Sequence, residues 1–449
     1  MGEGNDVREP QEDWRSRLTG LLHRADGAST SEINSFLARL GLGGGFDNLT
    51  GPELIDRLDA LERLKAAAAA DQARVQAAFA ELCEAGMDSR ARTRERSASA
   101  QIALARKVSP ARGARLLAAS KRLVGEMPCT LRALAAGHLN EDRALFVAEG
   151  VEVLSPDDRT AVDEELAGHP RRLEGLGDRG VQDAVRAAVD AIDDTAAVAR
   201  VRRAEQGRRV TIRRLPDSMA QLTAILPVAQ AAAVGGALRA AGAVARAAAG
   251  DDRTIGQVAA DTLVERVTGQ SRADGVPLRV GLVMTDSSLF GGGREPALLE
   301  GYGTTSAPQA RAMVAAASAS LAGAWLRRLY LAPSTGELAA MDSKSRRFPR
   351  ALAEFIETRD QVCRTPYCDA PIRHIDHVVP VAAGGETSVE NGQGLCEACN
   401  YAKESSGWEC GVVGSEEPGG TRGDIVTLTP TGHEYYSPPP RLPGERRAG

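Results

Sequence analysis

Residues 363–403 hold Cys363, Cys368, the pair Asp376-His377, Asn391, Cys396, Cys399, Asn400 and Lys403, in a chain otherwise rich in alanine, arginine and leucine. Cys363-x4-Cys368 and Cys396-x2-Cys399 are two short knuckles, and four thiolates supplied in pairs can surround Zn²⁺ tetrahedrally at about 2.3 Å. Four cysteines that merely fill core positions are the weaker reading, because packing alone seldom spaces them in pairs. A redox Cys-x-x-Cys at 396 and 399 lacks the surrounding βαβ pattern. The spacing therefore predicts a structural zinc tying the base of a hairpin and contributing folding free energy to a segment too small for a core of its own. Cys410 is expected to be a bystander.

Between the knuckles, the apolar run 375–381 reads as a strand interrupted by Asp376-His377. Gly384-Gly385 supplies a turn or loop, and the segment around Asn391 returns before a helix begins near Cys399. Such a β-β-α unit places His377 on its first strand and Asn400 in its helix. Hydrolysis of a phosphodiester needs a base that titrates near neutrality and a cation to offset developing charge. Asp376 and Asn400 are hard oxygen ligands suited to Mg²⁺ or Mn²⁺, whereas the thiolates select Zn²⁺, so two different metals are implied. A single histidine is more often structural than catalytic; the neighbouring Asp376, Asn391 and Asn400 inside a metal staple reverse that preference for His377. His374 fits a phosphate-side or a plain strand-face position equally well.

The order Cys, Cys, Asp-His, Gly-Gly, Asn, Leu-Cys-x-x-Cys-Asn-x-x-Lys resembles the HNH endonuclease family, a ββα-metal nuclease fold, over residues 360–404. The resemblance implies that His377 is the general base, that Asn391 orients its imidazole through the side-chain carbonyl, and that Asp376 and Asn400 hold one catalytic divalent ion. Many members have histidine where this chain has Asn400, so the match is to the His-Asn-Asn variant. DNA is the implied partner, cut by water attack to leave a 5′-phosphate and a 3′-hydroxyl. Lys403 and Arg373 are expected at the phosphates, as are Arg346 and Arg347 in a basic run with Lys344 and Arg350. Such contacts position DNA without reading its sequence. Residues 344–403 carry as many acidic as basic side chains, so a solvated linker is the competing reading of that run. Two alternatives stand beside DNA cleavage: a catalytically weak zinc-stapled nucleic-acid-binding or assembly module, and a structure-specific or RNA nuclease.

The elements that must carry this site are mainly helical. At 449 residues the chain has room for several domains, and its net charge of −5 argues against coating nucleic acid by bulk electrostatics, so any contact must be local. Seven cysteines are too few for a disulfide scaffold, which points to a reducing, cytoplasmic setting. No run of about eighteen apolar residues lacks a charge, so no membrane partner is expected; neither is a small-molecule cofactor, and the oligomeric state stays open.

Leucine and alanine at three- and four-residue spacing predict helices through most of residues 14–203, including 61–79. Ser109-Pro110 and Ser155-Pro156 mark helix starts, and Thr130 is expected to cap the helix carrying Leu131. A hairpin over 208–226, helices over 227–249, 254–268 and 307–321, and strands over 278–285, 325–331 and 338–341 follow. Residues 424–428 and 433–436 are expected to pair as a last hairpin before a Pro-rich tail. The expected fold class is a mainly α N-terminal region with minor β, followed by a C-terminal α+β, zinc-bound ββα-metal module. Its expected boundaries are 1–96, a helical region; 97–348, a mainly helical domain with short strands; 349–408, the HNH module; and 409–449, hairpin and tail. Residues 97–348 are also similar to an uncharacterised helical domain that often precedes HNH modules in high-GC bacteria, on phrases such as Gln257-Val258-Ala259-Ala260-Asp261-Thr262-Leu263 and Val283-Met284-Thr285-Asp286. The helices near 109–123 and 130–146 are expected to pack in a bundle rather than to read DNA.

Overall fold

A computed structural model describes residues 30–39, 49–85, 91–169, 172–192, 194–216, 219–247, 251–270, 281–299, 302–319, 348–413, 423–438 and 440. Nine helices come first among them: α1 (Thr30–Arg39), α2 (Gly51–Glu84), α3 (Ala91–Ala105), α4 (Pro110–Gly125), α5 (Pro128–Ala135), α6 (Glu141–Gly150), α7 (Pro156–Ala167), α8 (Asp178–Ile192) and α9 (Asp194–Gln206). A hairpin of β1 (Arg209–Arg214) and β2 (Ala220–Ile225) follows, then α10 (Val228–Ala247), α11 (Ile255–Thr268), β3 (Leu282–Val283), α12 (Asp286–Phe290), β4 (Ala297–Leu299), β5 (Gly303–Thr305) and α13 (Ala307–Ala319). The C-terminal part comprises α14 (Arg350–Asp360), β6 (His374–His377), β7 (Gly392–Leu395), α15 (Glu397–Lys403), β8 (Glu409–Val412), β9 (Ile425–Leu428) and β10 (Glu434–Ser437). The fold is thus the expected one, a mainly α N-terminal region with minor β and a small α+β segment at the end.

The chain divides into two compact units, Met1–Leu82 with Arg115–Ala197, and Cys83–Ala114 with Val198–Gly449. The boundary expected between residues 96 and 97 falls inside α3, which belongs to the unit holding the C-terminal module.

The first unit is a helical core. The alanine run predicted to favour helix does so as part of the long α2, which buries Ala66, Ala67, Ala70, Ala73 and Ala77. Leu117, Val147, Val162, Val181, Val185 and Val189 are almost fully withdrawn from water. Ser155 caps α7 as its Ser-Pro signal predicts, accepting the Asp158 N–H at 3.3 Å with Pro156 in the first turn. The expected cap at Thr130 is corrected: Pro128 starts α5 earlier, and Met127 at its N-cap offers no side-chain bond. Asp163 of α7 caps α5 from outside instead. Its carboxylate accepts the Cys129 N–H at 2.6 Å, the Thr130 N–H at 2.9 Å and the Thr130 hydroxyl at 2.5 Å. A buried carboxylate on the free N–H groups of a helix start satisfies both partners and suits the helix dipole.

In the second unit, β1 and β2 form the expected hairpin, pairing antiparallel with Val210 opposite Ala224 and Ile212 opposite Leu222. Thr254 and Gln257 form a reciprocal capping box at the start of α11, and left-handed Gly269 ends it. Of the strand expected over 278–285, residues 278–280 lie outside the described residues; the described part is β3, which ends before Thr285 turns the chain by capping α12. β3, β4 and β5 make an antiparallel meander in which the β4-β5 hairpin was not foreseen. The strands expected at 325–331 and 338–341 lie outside the described residues. The expected final hairpin is β9 and β10, and β8 adds a third strand. Within α10, Val228–Arg246 is long and apolar enough by length and composition to cross a membrane, with Arg239 midway along it.

Candidate active site

Each functional side chain sits on a short element whose start or end is chemically marked. β6 and β7 pair antiparallel, His374 opposite Leu395 and His377 opposite Gly392, and α15 follows at once. The strand predicted over 375–381 stops at His377, because Pro380 has no N–H for a ladder and opens a single 3-10 turn over Val381–Ala383. α15 begins earlier than expected: Cys396 is its N-cap, and its sulfur accepts the Cys399 N–H at 3.4 Å. α14 lies beneath, packing Leu352, Phe355 and Ile356 on Val389, Phe348 and Ile375.

The four cysteines come together as their spacing predicts. All four Sγ atoms lie within 4.8 Å of one another, and Cys368 Sγ is 3.7 Å from Cys396 Sγ. A tetrahedron with bonds of about 2.3 Å has edges of about 3.8 Å, so the quartet fits zinc. It is buried with Leu395 and flanked by Ala370. The thiols perturb one another: hydrogen bonds with Cys363 pull Cys396 down and push Cys399 up. Four thiolates cannot share so small a volume without a divalent cation to hold them ionised.

His377 is buried, with its ring 4.4 Å from that of Phe348. Its Nε2 lies 2.9 Å from Thr387 Oγ1, and Nδ1 has no hydrogen-bond partner among the described residues. Burial pushes the imidazole below its ordinary range; neighbouring Asp376 opposes the shift and Lys403 adds to it.

Asn391 does not hold the imidazole as the resemblance implied. Its Oδ1 accepts the Val379 N–H at 2.8 Å, while Nδ2 donates to Val379 O at 3.0 Å and Glu386 O at 2.8 Å. Where the chain leaves the ladder at Pro380, its peptide groups lose their strand partners, and an amide that both donates and accepts can satisfy them. Gly385 makes this closure possible. A Cβ there would lie 1.9 Å from Val379 O and 2.7 Å from Asn391 Nδ2. The stapled loop carries Thr387 to His377.

Asp376 and Asn400 are the hard oxygen donors. Asn400 Oδ1 is buried with no partner among the described residues, a state that ordinarily costs about 1–3 kcal/mol. An orphaned amide oxygen beside a carboxylate-bearing strand fits a hard cation. Lys403, expected at a phosphate, points inward instead. Its ammonium lies 2.5 Å from Asp376 Oδ2 and also donates to the carbonyl of His377. Arg373 is exposed, and its guanidinium has no partner among the described residues. Arg350 is drawn to Glu354 at 2.8 Å, and Arg346 and Arg347 lie outside the described residues.

The residues that hold this arrangement in place were not foreseen. Asp360 is fully buried and accepts from Arg359 Nε at 2.7 Å, Arg359 Nη2 at 3.0 Å, Arg364 Nη1 at 3.0 Å and the Gly394 N–H at 2.7 Å. Arg359 continues to the carbonyls of Val389 and Gly392, each at 2.7 Å, and Arg364 to that of Ser437 at 2.7 Å. One carboxylate thereby ties α14, the first knuckle, β7 and β10. Thr387 was missed as well, since a threonine in a loop carries no periodic signal.

A buried four-thiol cluster on a β-β-α unit, with Asp-His on the strand and Asn in the helix, defines a metal-stapled nuclease module. The family model for HNH endonucleases matches residues 361–406. The model described as a domain of unknown function, DUF222, matches residues 58–360, more than half of the chain, and the protein belongs to that family. No curated protein and no solved structure matches it. The HNH domain gives the chain a nuclease-family function, with a nucleic acid as the partner and divalent metal use.

Proposed function

We propose that the chain is a Mg²⁺- or Mn²⁺-dependent DNA endonuclease that hydrolyses a phosphodiester with His377 as general base. The observation that carries the reading is the buried imidazole with Nε2 on Thr387 Oγ1, on the strand that also carries Asp376, together with an Asn400 oxygen that no described residue satisfies. With Nε2–H donating to Thr387 Oγ1, the lone pair sits on Nδ1, where a water can be deprotonated. Asp376, next in the chain, stabilises the imidazolium that results. Asn391 positions the base through the loop that presents Thr387. Asp376 and Asn400 would hold a divalent ion, which when bound would supply positive charge to the scissile phosphate and the leaving oxygen. Cys363, Cys368, Cys396 and Cys399 hold zinc as the platform, a centre suited to a reducing compartment such as the cytoplasm.

The second reading, a catalytically weak binding or assembly module, is favoured by Lys403, whose ammonium already neutralises Asp376. Incubating the zinc-loaded chain with supercoiled plasmid, single-stranded DNA and RNA separates the readings. Nicking of duplex DNA that needs added Mg²⁺ or Mn²⁺ is the expected result. Binding without cleavage favours the second reading, and cleavage confined to RNA rejects the DNA assignment.

A further inference from the structure

α3 precedes the HNH domain by more than two hundred residues, yet it is built into the same compact unit. It is pinned at two points: the Trp408 indole N–H donates to Ser97 Oγ at 2.9 Å, and the Thr431 hydroxyl donates to Gln101 Oε1 at 2.9 Å. Its Ala98, Ile102, Ala103 and Leu104 are buried. Near its start the Arg96 guanidinium lies 4.9 Å from the centre of the Tyr401 ring. Tyr401 follows Asn400 on α15, is 42% exposed, and has its ring 6.3 Å from that of His374. Among the described residues the Arg96 guanidinium makes no hydrogen bond and no ion pair.

We propose that Arg96, Tyr401 and His374 form a binding ledge for the phosphodiester backbone beside the reactive centre, so that a helix of the DUF222 region supplies part of the substrate contact. The inference rests on the nuclease reading above. The simpler account, that the Arg96–Tyr401 stack only packs α3 onto the module, leaves the five guanidinium donors without use. The two hydrogen bonds and the buried apolar face already fix the helix. A guanidinium held over an aromatic face by the ring quadrupole keeps N–H groups free for a phosphate. The exposed Arg373, next to His374, adds a second guanidinium without a described partner. With a net charge of −5, the chain needs a local contact of this kind at the site itself.

The test is fluorescence anisotropy of a labelled duplex with the zinc-loaded full chain, without added Mg²⁺, from about 50 to 200 mM salt. Arg96→Ala and Arg96→Gln are expected to weaken binding about three- to tenfold. They should also lower the magnitude of the slope of log K against log salt by about one, the loss of one phosphate contact. Arg96→Lys should keep the slope. Zinc content and melting temperature report whether each variant is folded. Folded Ala and Gln variants with wild-type affinity and slope would overturn the ledge, and so would unfolding of all three, which would mark the stack as packing. Unchanged binding in the variants of a chain that cuts DNA sinks the ledge alone. Arg96-dependent binding by a chain that cuts nothing sinks the catalytic reading alone.

Discussion

Replacing Asp360 by alanine tests the claim that one carboxylate holds the nuclease module together. The side chain is fully buried, Arg364 is 2% exposed and Arg359 17% exposed, so the charges are little screened on the Arg364 side and moderately on the other. Removing one partner of a buried pair typically costs about 3–5 kcal/mol, because the remaining charge stays desolvated. Here the guanidinium groups keep carbonyl partners at Val389, Gly392 and Ser437, which moderates the loss, while the Gly394 N–H is orphaned. About 4 kcal/mol is expected for Asp360→Ala. Asp360→Asn, which retains one acceptor, should lose about half of that. For a unit of this size the alanine variant should melt roughly 10 °C lower. Differential scanning calorimetry of the zinc-loaded chain measures it, with metal content checked before and after. A second arm replaces the group by apolar shape: Asp360→Leu with Arg364→Met should recover part of the loss, because the uncompensated charge disappears with its partner. An alanine variant that unfolds within about 0.5 kcal/mol of wild type would refute the reasoning, since that is the range of an ordinary surface change.

Three further outcomes follow from the same geometry. Gly385→Ala forces a methyl group onto Val379 O and the Asn391 amide, and should cost about 1–3 kcal/mol and most of the cleavage activity while the zinc content stays at wild-type level, read by melting and plasmid nicking. Stripping the four-thiol centre with a strong chelator, or Cys396→Ser, should unfold the module, seen as a change in Trp408 emission that added zinc reverses; retention of the folded spectrum without metal would contradict the staple. In the free chain the His377 imidazole should titrate below 6.5 by NMR, because burial outweighs Asp376. Since the unfolded chain then binds that proton more tightly, the ring's contribution to stability is complete above 6.5 and is lost as the pH falls through the folded value.

The four-cysteine cluster was legible because its members come in two local pairs whose spacing suits a metal. The Ser155-Pro156 helix start and the β1-β2 hairpin were legible for the same reason, local signals acting over a few residues. What escaped reading depends on distance in the chain. Asp360, Arg359 and Arg364 look like ordinary charges at a helix end, and only tertiary burial turns them into a keystone. The docking of α3 rests on Ser97 and Gln101, polar residues with no periodic signal, against partners near the other end of the chain. Asn391 could be recognised by type and place but not by partner, because the loop it closes is shaped by Pro380 and Gly385 acting together. Lys403 is expected at a phosphate from its place one helical turn after Cys399, and the Asp376 carboxylate draws it inward.

The central claim, that His377 is the base of a metal-dependent phosphodiester hydrolysis, is tested most directly by single-turnover cleavage of a labelled DNA duplex with Mn²⁺, comparing the wild type with His377→Ala. The account predicts a rate lower by about 10²–10⁴-fold in the variant, the usual worth of a positioned base, with zinc content and duplex affinity unchanged. Equal rates in the two proteins, or no cleavage by the wild type with either Mn²⁺ or Mg²⁺, would contradict it.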